Sequence, residues 1–245
     1  MKVLVRVSAV LAFMAATSAP GTTALSQPLP LDQPLTTTTH VIYAPRGDLG
    51  SPSDASEMGL LSRIAKVATV PFGFEADEAA PRPSAGTPIE PHYITAKTLR
   101  QALDTFVALD PRYRWREVHG VFVVRMSRAW DDAGNVLNRR IREVHWHDLN
   151  IVAAFNRLAH LLYPDDSREI FDARASNDVR LFSIDVSDGT ILDVLNAAAI
   201  ADGELGWWVE YGTTSSPTRF RLTVGHYGNG PTFGWRVLPV PPDRP

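Results

Sequence analysis

The stretch TLRQALDTFVALDPRYRWREVHG, residues 98–120, returns as TILDVLNAAAIADGELGWWVEYG, residues 190–212, at a constant offset of 92 and without an insertion. Thr98 and Thr190, Leu103 and Leu195, Trp115 and Trp207, and Gly120 and Gly212 all fall in step. A repeat this ordered restricts the fold more than any other feature of the chain. Whatever one copy folds into, the other is expected to fold into as well.

The first copy opens at Thr98, a residue type that caps helices. Leu99, Ala102, Leu103, Phe106 and Val107 then form one apolar stripe, stopped at Asp110-Pro111. The segments RYRWREV and VFVVRM follow as a hairpin, joined by His119-Gly120, where glycine supplies the positive φ of a tight turn. The second copy runs in the same order: RLFSIDV as a strand, Asp188 or Thr190 as the cap, and Ile191, Val194, Leu195 and Ala198 as the stripe. GWWVEY and RFRLTVG then form a hairpin with a longer loop, GTTSSPT. A partial third copy, EVHWHDLNIVAAFNRLAHLLYP, matches the second at an offset of 40, with Ile151, Phe155 and Asn156 aligned to Ile191, Leu195 and Asn196. SREIFDAR is its candidate closing strand.

An amphipathic helix beside a small sheet buries its stripe by lying across one sheet face. The expected class is therefore α+β, built of tandem βαββ-type units, each a small sheet with one amphipathic helix packed on it. Upstream, Met58, Leu61, Ile64, Ala65 and Ala68 describe a further helix capped at Ser53 or Asp54 and ended by Pro71. VPFGFE and IEPHYI are strand candidates on either side of a proline-rich loop.

Residues 1–24 have the layout of a secretory signal: basic Lys2 and Arg6, an apolar run from Val7 to Ala16, and small residues before an expected cleavage near Ala24. The run is too short to span a bilayer and no comparable run follows, so no transmembrane segment is expected after cleavage. Residues 25–52 read as a disordered Thr/Pro-rich tether, residues 53–128 as the first unit, and residues 139–225 as a second region with a partial copy (141–163) and a full copy (180–225). Residues 226–245 read as a Pro/Gly-rich tail. The chain has no cysteine, and a small secreted eukaryotic domain would more often use disulfides, which favours a bacterial periplasmic or secreted protein. A net charge of −3 argues against nucleic acid as a partner.

The order strand, short turn, LRQALDTFVA, then RYRWREVHGVFVVR resembles the short N-terminal domain of secretins and TonB-dependent receptors, called STN, and related modules in secretin N-terminal regions. Thr98, Leu99, Ala102, Leu103, Trp115, Gly120 and Val121 to Val124 carry it in the first copy, and Thr190, Ile191, Val194, Leu195, Trp207 and Gly212 in the second. No secretin channel or barrel pattern follows the second copy in this sequence. The resemblance implies an envelope module that docks with other envelope proteins, without catalysis and without a cofactor.

Alternation in RYRWRE puts Arg112, Arg114 and Arg116 on one strand face and Tyr113 with Trp115 on the other, so a basic stripe outside buried aromatics is expected. It belongs to a wider arginine cluster that includes Arg125, Arg128, Arg139, Arg140 and Arg142. Trp207 and Trp208 are adjacent on a strand and leave on opposite faces. Trp207 is the core ring by alignment with Trp115, and Trp208 either packs on a neighbouring unit or anchors a partner. Arg112, Arg114, Arg116 and Trp208 are thus the expected contacts for a cell-envelope protein.

The competing reading is a periplasmic metal-dependent hydrolase. In VHWHD, His145 and His147 share a strand face and could hold a metal with Asp148 or His160, Trp146 being the core residue between them. No HExxH and no nucleophile elbow accompanies them, and GHYGNG lacks the residues of a phosphate loop, so no catalytic, cofactor or metal residues are assigned. A glycan-binding module stacking sugars on exposed aromatics is a further alternative.

Overall fold

The computed structural model describes residues 29–35, 41–43, 57–76, 92–162, 180–211, 219–226 and 237–239. The signal-like segment, the Ser53/Asp54 cap, SREIFDAR and the GTTSSPT loop lie outside them. The elements run β1 (Val41–Tyr43), α1 (Glu57–Ala68), β2 (Phe72–Ala76), β3 (His92–Ile94), α2 (Leu99–Leu109), β4 (Tyr113–Val118) and β5 (Val121–Met126). After two 3₁₀ turns, Ser127–Trp130 and Val136–Asn138, come β6 (Glu143–Leu149), α3 (Ile151–Leu162), β7 (Phe182–Ser187), α4 (Ile191–Asp202), β8 (Leu205–Tyr211), β9 (Arg219–His226) and β10 (Val237–Pro239). The class is α+β. No helix among the described residues is long and apolar enough to cross a membrane.

Helices α2 and α4 begin where the sequence signals them. Thr98 Oγ1 accepts from the Gln101 amide, and Thr190, not Asp188, caps α4 in a full capping box with Asp193. Both repeat copies then fold as a helix followed by a hairpin. A clasp recurs at the same offset: the Trp115 indole donates to Asp104 of α2 at 2.8 Å, and the Trp207 indole donates to Asn196 of α4 at 3.1 Å. Two copies of one sentence make one tertiary contact twice.

The sheets differ from expectation. Neither copy closes a small sheet of its own, because the strand preceding each helix pairs elsewhere: β3 with β1, and β7 with β6. The hairpins instead share one six-stranded sheet of order β10-β9-β8-β2-β5-β4, in which β2 runs parallel to both β5 and β8. The first hairpin keeps the strand order of the second but runs antiparallel to it and carries its helix on the opposite face. A half-turn about an axis across the strands relates the two.

The physical reason is two-sided greasiness. Every residue of β5 is buried, and Trp207 and Trp208 are 0% and 3% exposed on opposite faces of β8. A hairpin with one helix would leave the second face wet, whereas pairing through β2 covers both, as central parallel strands require. Phe72, Phe74, Phe122, Val124 and Trp208 face α1 and α2; Val121, Val123, Trp207 and Val209 face α4. The latter layer also takes in α3 and the β6·β7 ribbon, and Trp146 is buried there as expected.

Two other expectations need correction. Within the presumed tether, residues 29–35 lie against α2 and residues 41–43 pair with β3. Within the presumed tail, residues 237–239 add an edge strand to β9.

Candidate interaction surface

β4 ends the shared sheet among the described residues, so the backbone groups on its outer side face away from its one partner, β5. The strand is set there by its turn. His119 and Gly120 both take positive φ, 52° and 80°, the geometry whose twist matches a two-residue hairpin. Alternation does what the sequence indicates on the inner face: Tyr113 is buried beside Phe74 and Phe106, and Trp115 is half-buried against α2.

The arginines divide by surroundings. Arg112 precedes the strand and turns back to Asp110, donating from both Nε and a terminal nitrogen to its carboxylate, which makes it part of the α2–β4 corner instead of a stripe. Arg114 is exposed on the outer strand. Arg116 is exposed as well, with its guanidinium 4.5 Å from the centre of the Trp130 ring, a cation–π arrangement that holds the group in place. Arg114 and Arg116 therefore form the basic edge, and the adjacent Glu117 accepts from the Leu29 amide. Trp208 is interior, packed into the α1–α2 core, and so is withdrawn from the expected contact surface.

A buried polar cluster went unread in the sequence. Arg125 and Glu75 are both fully buried and form an ion pair beneath the segment between β5 and β6. Arg125 also donates to Asn138 Oδ1 at 2.8 Å and Asn135 Oδ1 at 2.9 Å, while Glu75 accepts from Asn135 Nδ2 and, at 2.7 Å, from the Tyr211 hydroxyl. Burial, then the neighbouring Glu75 charge, pushes the Tyr211 phenol well above its ordinary range. The available signal is an arginine inside the otherwise apolar run VFVVRM, which sets Arg125 apart from the exposed arginines of the cluster.

His145 and His147 are both exposed on β6, and no three His, Cys, Asp or Glu side chains among the described residues are placed to hold a metal ion. A register irregularity between Trp146 and Leu149, with Asp148 at φ 50°, accompanies this stretch. His145 is instead clamped: Nδ1 lies 2.6 Å from Asp185 Oδ1 and Nε2 lies 2.5 Å from Glu143 Oε1. An imidazole that donates from both nitrogens is an imidazolium. The Asp185 hydrogen bond first, then that of Glu143, raises its pKa above the ordinary 6.5. A raised folded value means that this clamp contributes fully below the unfolded pKa and is lost as pH rises through the folded one. NMR titration is expected to place the His145 midpoint above 6.5 and to move it down in Asp185→Asn. A midpoint unmoved by that substitution would show the clamp is not formed.

No protein-family model, curated protein or solved structure matches the chain.

Proposed function

We propose that the protein is an exported, non-catalytic adaptor of the bacterial cell envelope that binds another envelope protein by strand addition to β4. The observation that carries this reading is that β4 is the last strand of the shared sheet among the described residues, with Arg114 and Arg116 exposed on it. Strand addition draws affinity from main-chain hydrogen bonds and specificity from the side chains flanking them. Here those side chains are cationic, so the fitting partner is an extended segment with acidic residues. The charges also oppose pairing of one β4 with another, since arginines would face arginines. The signal-like start and the STN-like pattern of the helix–hairpin segments support an envelope location for such a module.

A photo-crosslinking residue at position 114 in cells is expected to trap a discrete protein, and the same residue at Arg157, exposed on α3, is not. Charge reversal at position 116 is expected to lower the position-114 yield by about tenfold, through loss of steering and of the rim contact. Equal yields from both sites, or indifference to the reversal, would remove β4 as the contact.

A further inference from the structure

Residues 29–35, LPLDQPL, hold a defined site on the first helix–hairpin segment. The Leu35 amide donates to the Lys97 carbonyl at 2.7 Å, Pro34 bridges Thr98, and the Leu31 carbonyl accepts from the Arg100 amide at 2.9 Å. That amide belongs to the first turn of α2, where backbone donors have no partner within the helix. Asp32 forms a two-pronged ion pair with Arg100, at 2.7 and 2.9 Å. The Arg100 hydrogen bond holds the Asp32 carboxyl below its ordinary value. Leu29, Leu31 and Leu35 pack half-buried against the α1–α2 core.

The repeat shows that this dock is a built feature. At the equivalent place in the second copy, Arg140 bridges Thr190 as Pro34 bridges Thr98, and the Ile141 amide donates to the Gly189 carbonyl at 3.0 Å as the Leu35 amide does to Lys97. The carbonyl on the helix start, that of Arg139, takes the Ile191 amide at 3.1 Å, one residue earlier than Leu31 does on α2. There the occupant is the connector between β5 and β6, tied into both strands and seated by Leu137, which is fully buried. In the first copy the occupant is an arm upstream of every described helix. None of its leucines is fully buried, and its one ion pair is exposed on both sides, at 45% for Arg100 and 71% for Asp32. Exposed ion pairs hold weakly. One copy of the dock is filled by a connector between two strands, and the other by residues 29–35, upstream of α1.

We infer that the flank of α2 is a peptide-docking site whose resident arm, residues 29–35, is displaced by a partner's leucine- and proline-rich segment bearing a carboxylate for Arg100. The ligand chemistry follows from the contacts: an extended backbone to bridge Thr98, a carbonyl for the first-turn amide, a carboxylate for the guanidinium, and leucines for the apolar flank. The arm reaches β4 through the Leu29 amide on Glu117, but the inference rests on its seat along α2, so it stands whether or not strand addition occurs at β4.

The test uses the full chain and a fluorescent peptide with the sequence of residues 28–36. Asp32→Arg turns the resident arm against Arg100 and is expected to raise the affinity for added peptide at least ~10-fold over wild type, by relieving intramolecular competition. Arg100→Asp is expected to abolish binding of the peptide, and a peptide with Asp32 changed to Arg is expected to restore it. Equal affinity of the wild-type and Asp32→Arg chains, or peptide binding indifferent to Arg100→Asp, would overturn the inference. Light scattering that finds the wild-type chain as a dimer and Asp32→Arg as a monomer would also overturn it, by giving the site to the arm of a second copy.

Discussion

Replacing Arg125 with Met is expected to destabilise the fold by about 3 to 5 kcal/mol, because it strands a fully buried carboxylate without its counter-charge. The loss is large against the ~5 to 15 kcal/mol by which domains are ordinarily stable. The pair itself is not the source of that number. Desolvating two charges offsets much of their attraction, and the cost appears when one partner goes and the other stays. Glu75→Leu combined with Arg125→Met is therefore expected to lose less than Arg125→Met alone. Recovery remains partial because Asn135, Asn138 and the Tyr211 hydroxyl then lose their bonds to Arg125 or Glu75. Urea unfolding followed by circular dichroism measures both variants. A loss under about 1 kcal/mol for Arg125→Met would mean that water reaches Glu75 and that the connector over it is not seated. Hydrogen exchange across residues 127–140 is expected to rise in the single variant, since Asn135 and Asn138 tie that connector to the pair.

Gly73→Ala is expected to cost about 3 kcal/mol, the upper end of what overpacking ordinarily does. A Cβ there would lie 2.1 Å from Trp207 Cζ2 and 2.3 Å from Cε2. The indole cannot retreat: it is fully buried and held by its hydrogen bond to Asn196. The reciprocal site behaves alike, since a Cβ on Gly206 would lie 2.1 Å from a ring carbon of Phe72. These glycines sit opposite the aromatics they admit, Gly73 paired with Trp207 and Gly206 with Phe72, so each ring lies over the bare backbone of the neighbouring strand. Combining Gly73→Ala with Trp207→Leu is expected to cost less than the two changes summed, with a coupling of about 1 to 2 kcal/mol, because the smaller side chain frees the space the methyl needs. A neutral Gly73→Ala, measured by thermal or urea unfolding, would show that β2 and β8 do not pair in this register.

The candidate surface was legible in part. Alternation alone placed Tyr113 and Trp115 inward and Arg114 and Arg116 outward, because a strand has only two faces. It could not separate Arg112, whose place depends on the corner with Asp110, or Arg125, whose carboxylate lies 50 residues away in sequence. Nor could it choose between the two fates of Trp208. Adjacent tryptophans on a strand must point to opposite sides, but whether the second side is water or protein depends on what lies across the sheet.

By itself the sequence determined the local order: where α2 and α4 start, which stripe each buries, the hairpin turn at His119-Gly120, and the equivalence of the two Trp-bearing segments. Those outcomes rest on caps, periodicity and turn chemistry, all of which act within a few residues. Only the tertiary structure decided that the hairpins pool their strands around β2, that α2 and α4 take opposite faces, and that residues 29–35 fill one of two equivalent docks. Pairing between distant strands is chosen by the total apolar surface it covers, a property of the assembled sheet that no short window of residues contains.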